Sequence, residues 1–284
     1  NAYQMDFEAT VLTCIECKTK TTEFCYQIEL DQTCFFPEGG GQKGDRGLLN
    51  EAVVYDTQIN EGVIVHYTDR IMEIGSSVYG QVDWKQRHSY MQHHTGEHIL
   101  SGLIYRSYGY QNVGFHLSAN TVTIDVDHEL NQLQIEELEV AANRIIWENL
   151  PVEISFPLQE ELDELFYRSK KDIEGQTRIV SIPNVDTCAC CAPHVKHTGE
   201  VGALCISRWE KYKGGVRLEL ICGDKALENH RKLLNIVSNL SVSLSAKIET
   251  IEETVQKILL EKGNDQEKLV NLQKALMQER TKDI

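Results

Sequence analysis

Two short stretches of this chain carry side chains of the type, and at the spacing, that hold a metal ion. In HHTGEH, residues 93–98, His94 and His98 stand four apart. On a helix that spacing puts both imidazoles on one face, about a turn from each other, so one ion can bridge them. In CCAPH, residues 190–194, Cys190 and His194 are also four apart, and Pro193 forbids a regular helix interior there. Three imidazoles and one thiolate form an N/S donor set suited to tetrahedral zinc. Either pair alone is commonplace, since a histidine pair on a helix is more often surface or core decoration. Both pairs together, with HTGE following the second, predict one Zn2+ per chain held by His94, His98, Cys190 and His194. His88, His93, His116 and His197 are rival donors, and Cys188 or Cys191 could replace Cys190. The four-residue spacing on both sides selects the first set.

Composition bounds the setting of these residues. A chain of 284 residues can hold one large or two ordinary domains with hydrophobic cores. Its 41% hydrophobic and 25% charged content are those of a soluble globular protein. No apolar run approaches the roughly 20 residues that cross a bilayer, and no signal-peptide pattern is evident, so no membrane partner is expected. Nine cysteines, an odd number in so long a chain, read as reduced thiols of a cytoplasmic protein. The net charge of -15 excludes general polyanion binding by the whole surface. A local basic stripe can still contact phosphates: Arg208, Lys211, Lys213 and Arg217 are candidates, with Lys85, Arg87 and Arg106 elsewhere.

The elements that must position the donors follow from hydrophobic periodicity. ATVLTCIEC, EFCYQIEL, GVIVHYT and SVYGQVDW alternate apolar and polar residues between turn-rich breaks, which predicts a small antiparallel β-barrel over residues 1–84. FFPEGGGQKGDRG contains a literal G-x-G-x-x-G at Gly39, Gly41 and Gly44, but strands rather than a helix follow, so a hairpin loop is expected. Cys14 and Cys17, three apart on a strand, point to opposite faces and are rejected as a metal pair. The spacing then predicts a helix through KQRHSYMQHHTGEHILSGLIYRSYG, a strand or hairpin in QNVGFHLSANTVTIDVD, and an amphipathic helix in NQLQIEELEVAANRIIWENL, ending before Pro151. PVEISFPL, TRIVSIP, GALCISRWE and GGVRLELICG read as strands, with a short helix near 158–166. Without a regular βαβ repeat, residues 85–223 are expected to form an α+β zinc-binding domain. Residues 224–284 carry apolar residues at alternating three- and four-residue steps from Leu233 to Ile258. They read as a long helix, a break at Lys262-Gly263-Asn264-Asp265, and a second helix. The stripe calls for packing within or between chains, a homodimer through these helices being one outcome.

The motifs resemble those of the editing domain of alanyl-tRNA synthetases and of the AlaX-type alanyl-tRNA editing proteins. That family carries H-x-x-x-H near the start of the domain and C-x-x-x-H near its end, where HHTGEH and CCAPHVKHTGEVG stand here. EGGGQKGDRG resembles the loop of its preceding β domain, GGVRLELICG its closing strand, and QNVGFHLS a segment near its pocket. The likeness runs from about residue 6 to 223, and the C-terminal helices resemble the start of the family's oligomerisation region. The usual C-G-G-T-H is replaced by Cys190-Cys191-Ala192-Pro193-His194, which keeps the ligand positions. No aminoacylation domain precedes the β region, so the resemblance implies a trans-acting editor. It would deacylate mischarged Ser-tRNA(Ala), and sometimes Gly-tRNA(Ala), with the acceptor end of tRNA(Ala) as partner.

For such a reaction zinc polarises the ester carbonyl and lowers the pKa of a bound water to about 7. Asn112, His116 and Ser118 are candidates for the pocket wall, His116 foremost, and Thr95 for facing a serine hydroxyl. Glu97, next to His98, is expected about 100° off the ligand face as a solvated helix carboxylate and is left out of the site. Two other readings stand beside the editor. H-T-G-E-H also fits the inverted-zincin pattern H-x-x-E-H of metallopeptidases, with Glu97 as base, but that leaves CCAPH unexplained. A zinc-stabilised tRNA-binding module without catalysis suits a closed four-ligand sphere.

Overall fold

Six short strands close the barrel that the turn-rich N-terminal pattern predicts. The computed structural model describes residues 1–17, 25–118, 121–169 and 176–280, so residues 23–24 of the second expected strand, 119–120 of the expected hairpin and the last four residues lie outside it. Strands β1 (Asp6–Cys17), β2 (Cys25–Leu30), β3 (Gly47–Leu49), β4 (Ala52–Asn60), β5 (Val63–Thr68) and β6 (Ser77–Val82) form a closed barrel in the order β1-β2-β5-β4-β3-β6. Every neighbouring pair is antiparallel. Alternate residues turn inward, as along β6, and Phe7, Val11, Ile28, Phe35, Leu49, Val54 and Val78 fill the interior. Strands β3 and β4 are absent from the sequence reading. They pair Leu49 with Ala52 across a two-residue turn in which Asn50 takes a positive φ of 52°. Cys17 is disulfide-bonded and stands opposite Cys25 in the β1–β2 register, which corrects the expectation of reduced thiols throughout.

His66 is fully buried, its Nδ1–H donating to the Ile28 carbonyl at 3.1 Å and its Nε2 lying 2.9 Å from the Thr33 hydroxyl. Burial pushes its pKa down to about 4, against the pull of the Ile28 carbonyl.

Beyond the barrel, helix α1 (Trp84–Tyr108) runs through the centre of an α+β layer. Asp83 caps it, its carboxylate accepting from the Gln86 amide at 3.1 Å, and Gly109 ends it in the left-handed region. Every residue from Tyr90 to Gly102 is buried, so α1 is enclosed all round its middle rather than amphipathic. Around it lie two sheets: a four-stranded one in the order β12 (Leu204–Tyr212), β13 (Gly215–Cys222), β8 (Val122–Val126), β7 (Asn112–Leu117), and a three-stranded one in the order β11 (Asp186–Ala189), β10 (Ile179–Ile182), β9 (Glu153–Ser155). Helix α2 (Gln132–Glu148), opened by an Asn131/Gln134 capping box, packs on α1 and β12. A short helix α3 (Gln159–Glu164) follows β9. Gly96 lets the sheet approach, since a Cβ there would lie 2.5 Å from the Cys222 sulfur.

The barrel and this layer form one compact unit, Asn1–Ala226, and Leu227–Ile284 form a second. The second unit holds most of α4 (Asp224–Leu244) and all of α5 (Ile251–Arg280). The helix break falls at Ser245, with a φ of 50°, and α5 runs unbroken through Lys262-Gly263-Asn264-Asp265, which corrects the sequence reading. A single glycine costs an exposed helix only about 1 kcal/mol. The serines around 241–245 compete for backbone bonds, and Ser241 donates to the Ala246 carbonyl at 2.5 Å.

Candidate metal centre

Helix α1 presents His94 and His98 on one face, and the loop after β11 brings Cys190 and His194 against them. The four donor atoms all lie within 4.8 Å of one another. Cys190 Sγ is 3.5 Å from His94 Nε2 and 3.4 Å from His194 Nε2. The three imidazoles pack ring to ring, with centroids 4.6–5.5 Å apart. All three histidines are at most 2% exposed.

Each imidazole is held from behind by its other nitrogen. His94 Nδ1 donates to Gln42 Oε1 at 3.0 Å, and His98 Nδ1 to Asp186 Oδ2 at 3.0 Å. His194 Nδ1 lies 3.0 Å from Thr95 Oγ1, which also accepts from the Val195 amide. The Nδ1 atoms are thus engaged and the Nε2 atoms are left to face the shared centre, an arrangement that fixes ring orientation and tautomer. Arg168 donates to both oxygens of Asp186 at 2.7 and 2.9 Å and fixes that carboxylate in turn. Arg178 donates to the carbonyls of Cys190 and Ala192 and pins the thiol-bearing loop. The three nitrogens and one sulfur, oriented in this way, fit zinc.

Electrostatics favour the ligand forms of Cys190 and His194. Burial alone would raise the Cys190 thiol, but His94 and His194 outweigh it and hold its pKa well below the ordinary value. Burial pulls His194 down to about 3, so that it stays neutral. Burial opposes protonation of His98 as well, but the Asp186 hydrogen bond and nearby Cys188, Cys190 and Glu97 make its imidazole markedly more basic. Asp186 itself stays ionised because His98 and Arg168 outweigh the cost of its burial.

The rival donors are engaged or remote. His93 Nδ1 donates to the Ser89 carbonyl at 2.7 Å and its Nε2 accepts from the Cys222 amide, which makes it a core residue. His88 packs against Trp84, and His197 and His116 are exposed. Cys191 is exposed at the cavity wall. Cys188 forms a second donor group with His98 and Asp186, but Asp186 is committed to Arg168 and to His98 Nδ1.

A cavity of about 600 Å³ opens onto the cluster, walled by Gly40, Gly41, Val113, Phe115, Arg178 and Cys191 among others. The glycine-rich segment is a tight hairpin, Gly39 and Gln42 exchanging both backbone hydrogen bonds. Its tip forms part of the cavity wall: Gly41 has a φ of 81°, and a Cβ there would strike the Phe115 ring at 2.5 Å. The hairpin is anchored to α1 by the buried ion pair of Asp45 with Arg87, two turns before His94. None of Thr95, Asn112 and His116 lines the cavity. Thr95 stands behind His194, and Asn112 donates to Glu97 Oε1 at 2.6 Å and to Ser101 Oγ at 2.9 Å.

Glu97 corrects the sequence reading. It is 1% exposed and lines the cavity, with Oε1 accepting from Ser101 Oγ at 2.7 Å and Oε2 lying 3.8 Å from His98 Nε2. The enclosed α1 has no solvent side for this carboxylate to face. Gln42, Asp186 and Arg178 were also missed. Only Gln42 gave a signal, as the lone amide in a glycine-rich hairpin.

Comparison with known proteins adds a relationship to this geometry. Residues 3–86 match the family described as tRNA synthetases class II (A), and residues 177–219 the Threonyl and Alanyl tRNA synthetase second additional domain. The chain is 34% identical over 249 residues to the alanyl-tRNA editing protein AlaX-L of Pyrococcus horikoshii, covering 82% of this chain and 62% of that protein. It is 32% identical to the alanine–tRNA ligase of Pyrococcus furiosus, covering 96% of this chain and 31% of the ligase. The ligase of Natronomonas pharaonis is 30% identical, with 97% of this chain and 31% of the ligase covered. The chain therefore spans less than two thirds of AlaX-L and about a third of each ligase.

Proposed function

We propose, from the chain's membership of the alanyl-tRNA editing family, that it hydrolyses the ester of mischarged tRNA(Ala), Ser-tRNA(Ala) first and Gly-tRNA(Ala) second. The observation that carries this reading is the convergence of four zinc-type donor atoms within 4.8 Å beside an open cavity of about 600 Å³. His94, His98, Cys190 and His194 would hold one Zn2+, which supplies polarisation of the ester carbonyl and activation of water at neutral pH.

The chain's own residues do the positioning. Gln42, Asp186 and Thr95 hold the imidazoles in register, and Arg178 holds the Cys190 loop by its carbonyls. The Gly40–Gly41 tip lets main chain approach the substrate closely. Selection of serine over alanine requires polar groups that alanine leaves unpaired. Ser169 and Gln176, both in the cavity wall, would supply such groups. The tRNA(Ala) acceptor end enters this cavity, and a homodimer forms through the C-terminal helices.

The test is direct. Labelled Ser-tRNA(Ala), Gly-tRNA(Ala) and Ala-tRNA(Ala) are incubated with zinc-loaded and chelated protein. Loss of label from the first two, sparing the third and abolished by chelation, is the expected outcome; intact Ser-tRNA(Ala) at high protein concentration with zinc bound refutes it. One observation favours a second reading: four protein donors make a closed set, as in structural zinc sites. A non-catalytic tRNA-binding module would bind the same tRNA without turnover. The peptidase reading gains nothing, since the four-donor group contains no carboxylate.

A further inference from the structure

Glu97 takes no part in the four-donor set, yet it is a buried carboxylate in the cavity wall. It is 1% exposed, and Oε1 is fixed by Ser101 Oγ and Asn112 Nδ2 at 2.7 and 2.6 Å. Oε2 lies 3.8 Å from His98 Nε2, the nitrogen that faces the shared centre. Among the described residues, Arg168 is paired with Asp186, and Arg178 holds the Cys190 and Ala192 carbonyls. The wall also holds glycine backbone, Val113, Phe115, Ser169, Gln176 and Cys191.

An aminoacyl ester brings a cation to this place. Its α-ammonium is two covalent bonds from the ester carbonyl carbon, about 2.5 Å away. A carbonyl held at the His/Cys centre therefore puts the ammonium in the layer of atoms that Glu97 occupies. We propose that Glu97 is the subsite for the substrate's free α-ammonium, so that the cavity takes esters of unmodified amino acids and rejects N-acylated and α-hydroxy counterparts. This rests on the deacylase reading above. It gives the chain a means of sparing peptidyl-tRNA, whose ester has no free amine.

The test pairs substrate with variant. Wild-type protein and Glu97→Gln, which keeps the Oε1 acceptor, are given Ser-tRNA(Ala), its N-acetyl form and its α-hydroxy analogue, and zinc content is measured for both proteins. A charge-assisted hydrogen bond to the ammonium predicts about a 10- to 100-fold wild-type preference in kcat/KM for Ser-tRNA(Ala), and E97Q abolishes it by slowing that substrate alone. Equal slowing of all three esters by E97Q, equal wild-type rates on all three, or zinc loss in E97Q overturns the proposal. If the wild type cleaves no ester, the deacylase reading falls, and calorimetry then judges the subsite with the uncleavable 3′-amide of seryl-adenosine and its α-hydroxy counterpart. A tenfold or greater wild-type preference lost in E97Q supports the subsite, and equal affinities refute it.

Discussion

At the scale of single residues, the clustering of the four candidate donors was legible because metal chemistry restricts donors to few residue types at a regular spacing, whereas their supports were not. Thr95 shows why. Its hydroxyl was read as facing substrate, but it is buried against His194 Nδ1 and the Val195 amide, a task that no spacing announces. Thr95→Val keeps the shape and removes the oxygen. Zinc affinity is expected to fall about 10- to 100-fold, measured by competition with a chromophoric chelator, while the thermal midpoint of the zinc-loaded protein shifts little. Unchanged affinity would return Thr95 to a packing role. Glu97 was misread for a complementary reason: a helical wheel tells which residues share a face but not whether the opposite face meets water.

At the scale of elements, α1 was read nearly to its ends from helical spacing alone, and Asp83 and Gly109 cap it in the structure. Strand β11 was missed since its four residues, Asp186–Ala189, sit in a cysteine-rich run that looked like chemistry rather than sheet. Long-range pairing with β10 decides it, and that is invisible locally. The barrel carries a pH dependence of its own through His66, whose folded pKa of about 4 lies below the ordinary 6.5. Between these values the unfolded chain binds the proton and the folded barrel does not, so stability is full above about pH 6.5 and is lost as pH falls toward 4. The shift corresponds to roughly 3 kcal/mol at most. Urea unfolding at pH 7, 5.5 and 4.5 should show this slope, and His66→Gln should flatten that part of it; an equal slope in both proteins would contradict the assignment.

At the scale of the whole molecule, the chain divides into a folded body and a helical unit with little interior of its own. Leu233, Leu240, Leu260, Leu269 and Leu272 are all exposed in the second unit. Among the described residues no helix is long and apolar enough to cross a membrane. Self-association of this unit predicts that light scattering of the full chain reads twice its 32.4 kDa mass, whereas a form ending at Ala226 is monomeric and still takes up zinc. A monomeric full chain would remove the homodimer from the scheme. The donor cluster itself joins segments remote in the chain, His94 and Cys190 being 96 positions apart. Closing so long a loop is slow, and a zinc ion binds tightly only to a formed site. For a chain that takes up zinc, the helix with its two histidines would therefore emerge first as a weak, exchangeable chelator, and the ion would be locked in only once the stretch bearing the thiolate has left the ribosome. Capture of such a metal would be a late event in the birth of this protein.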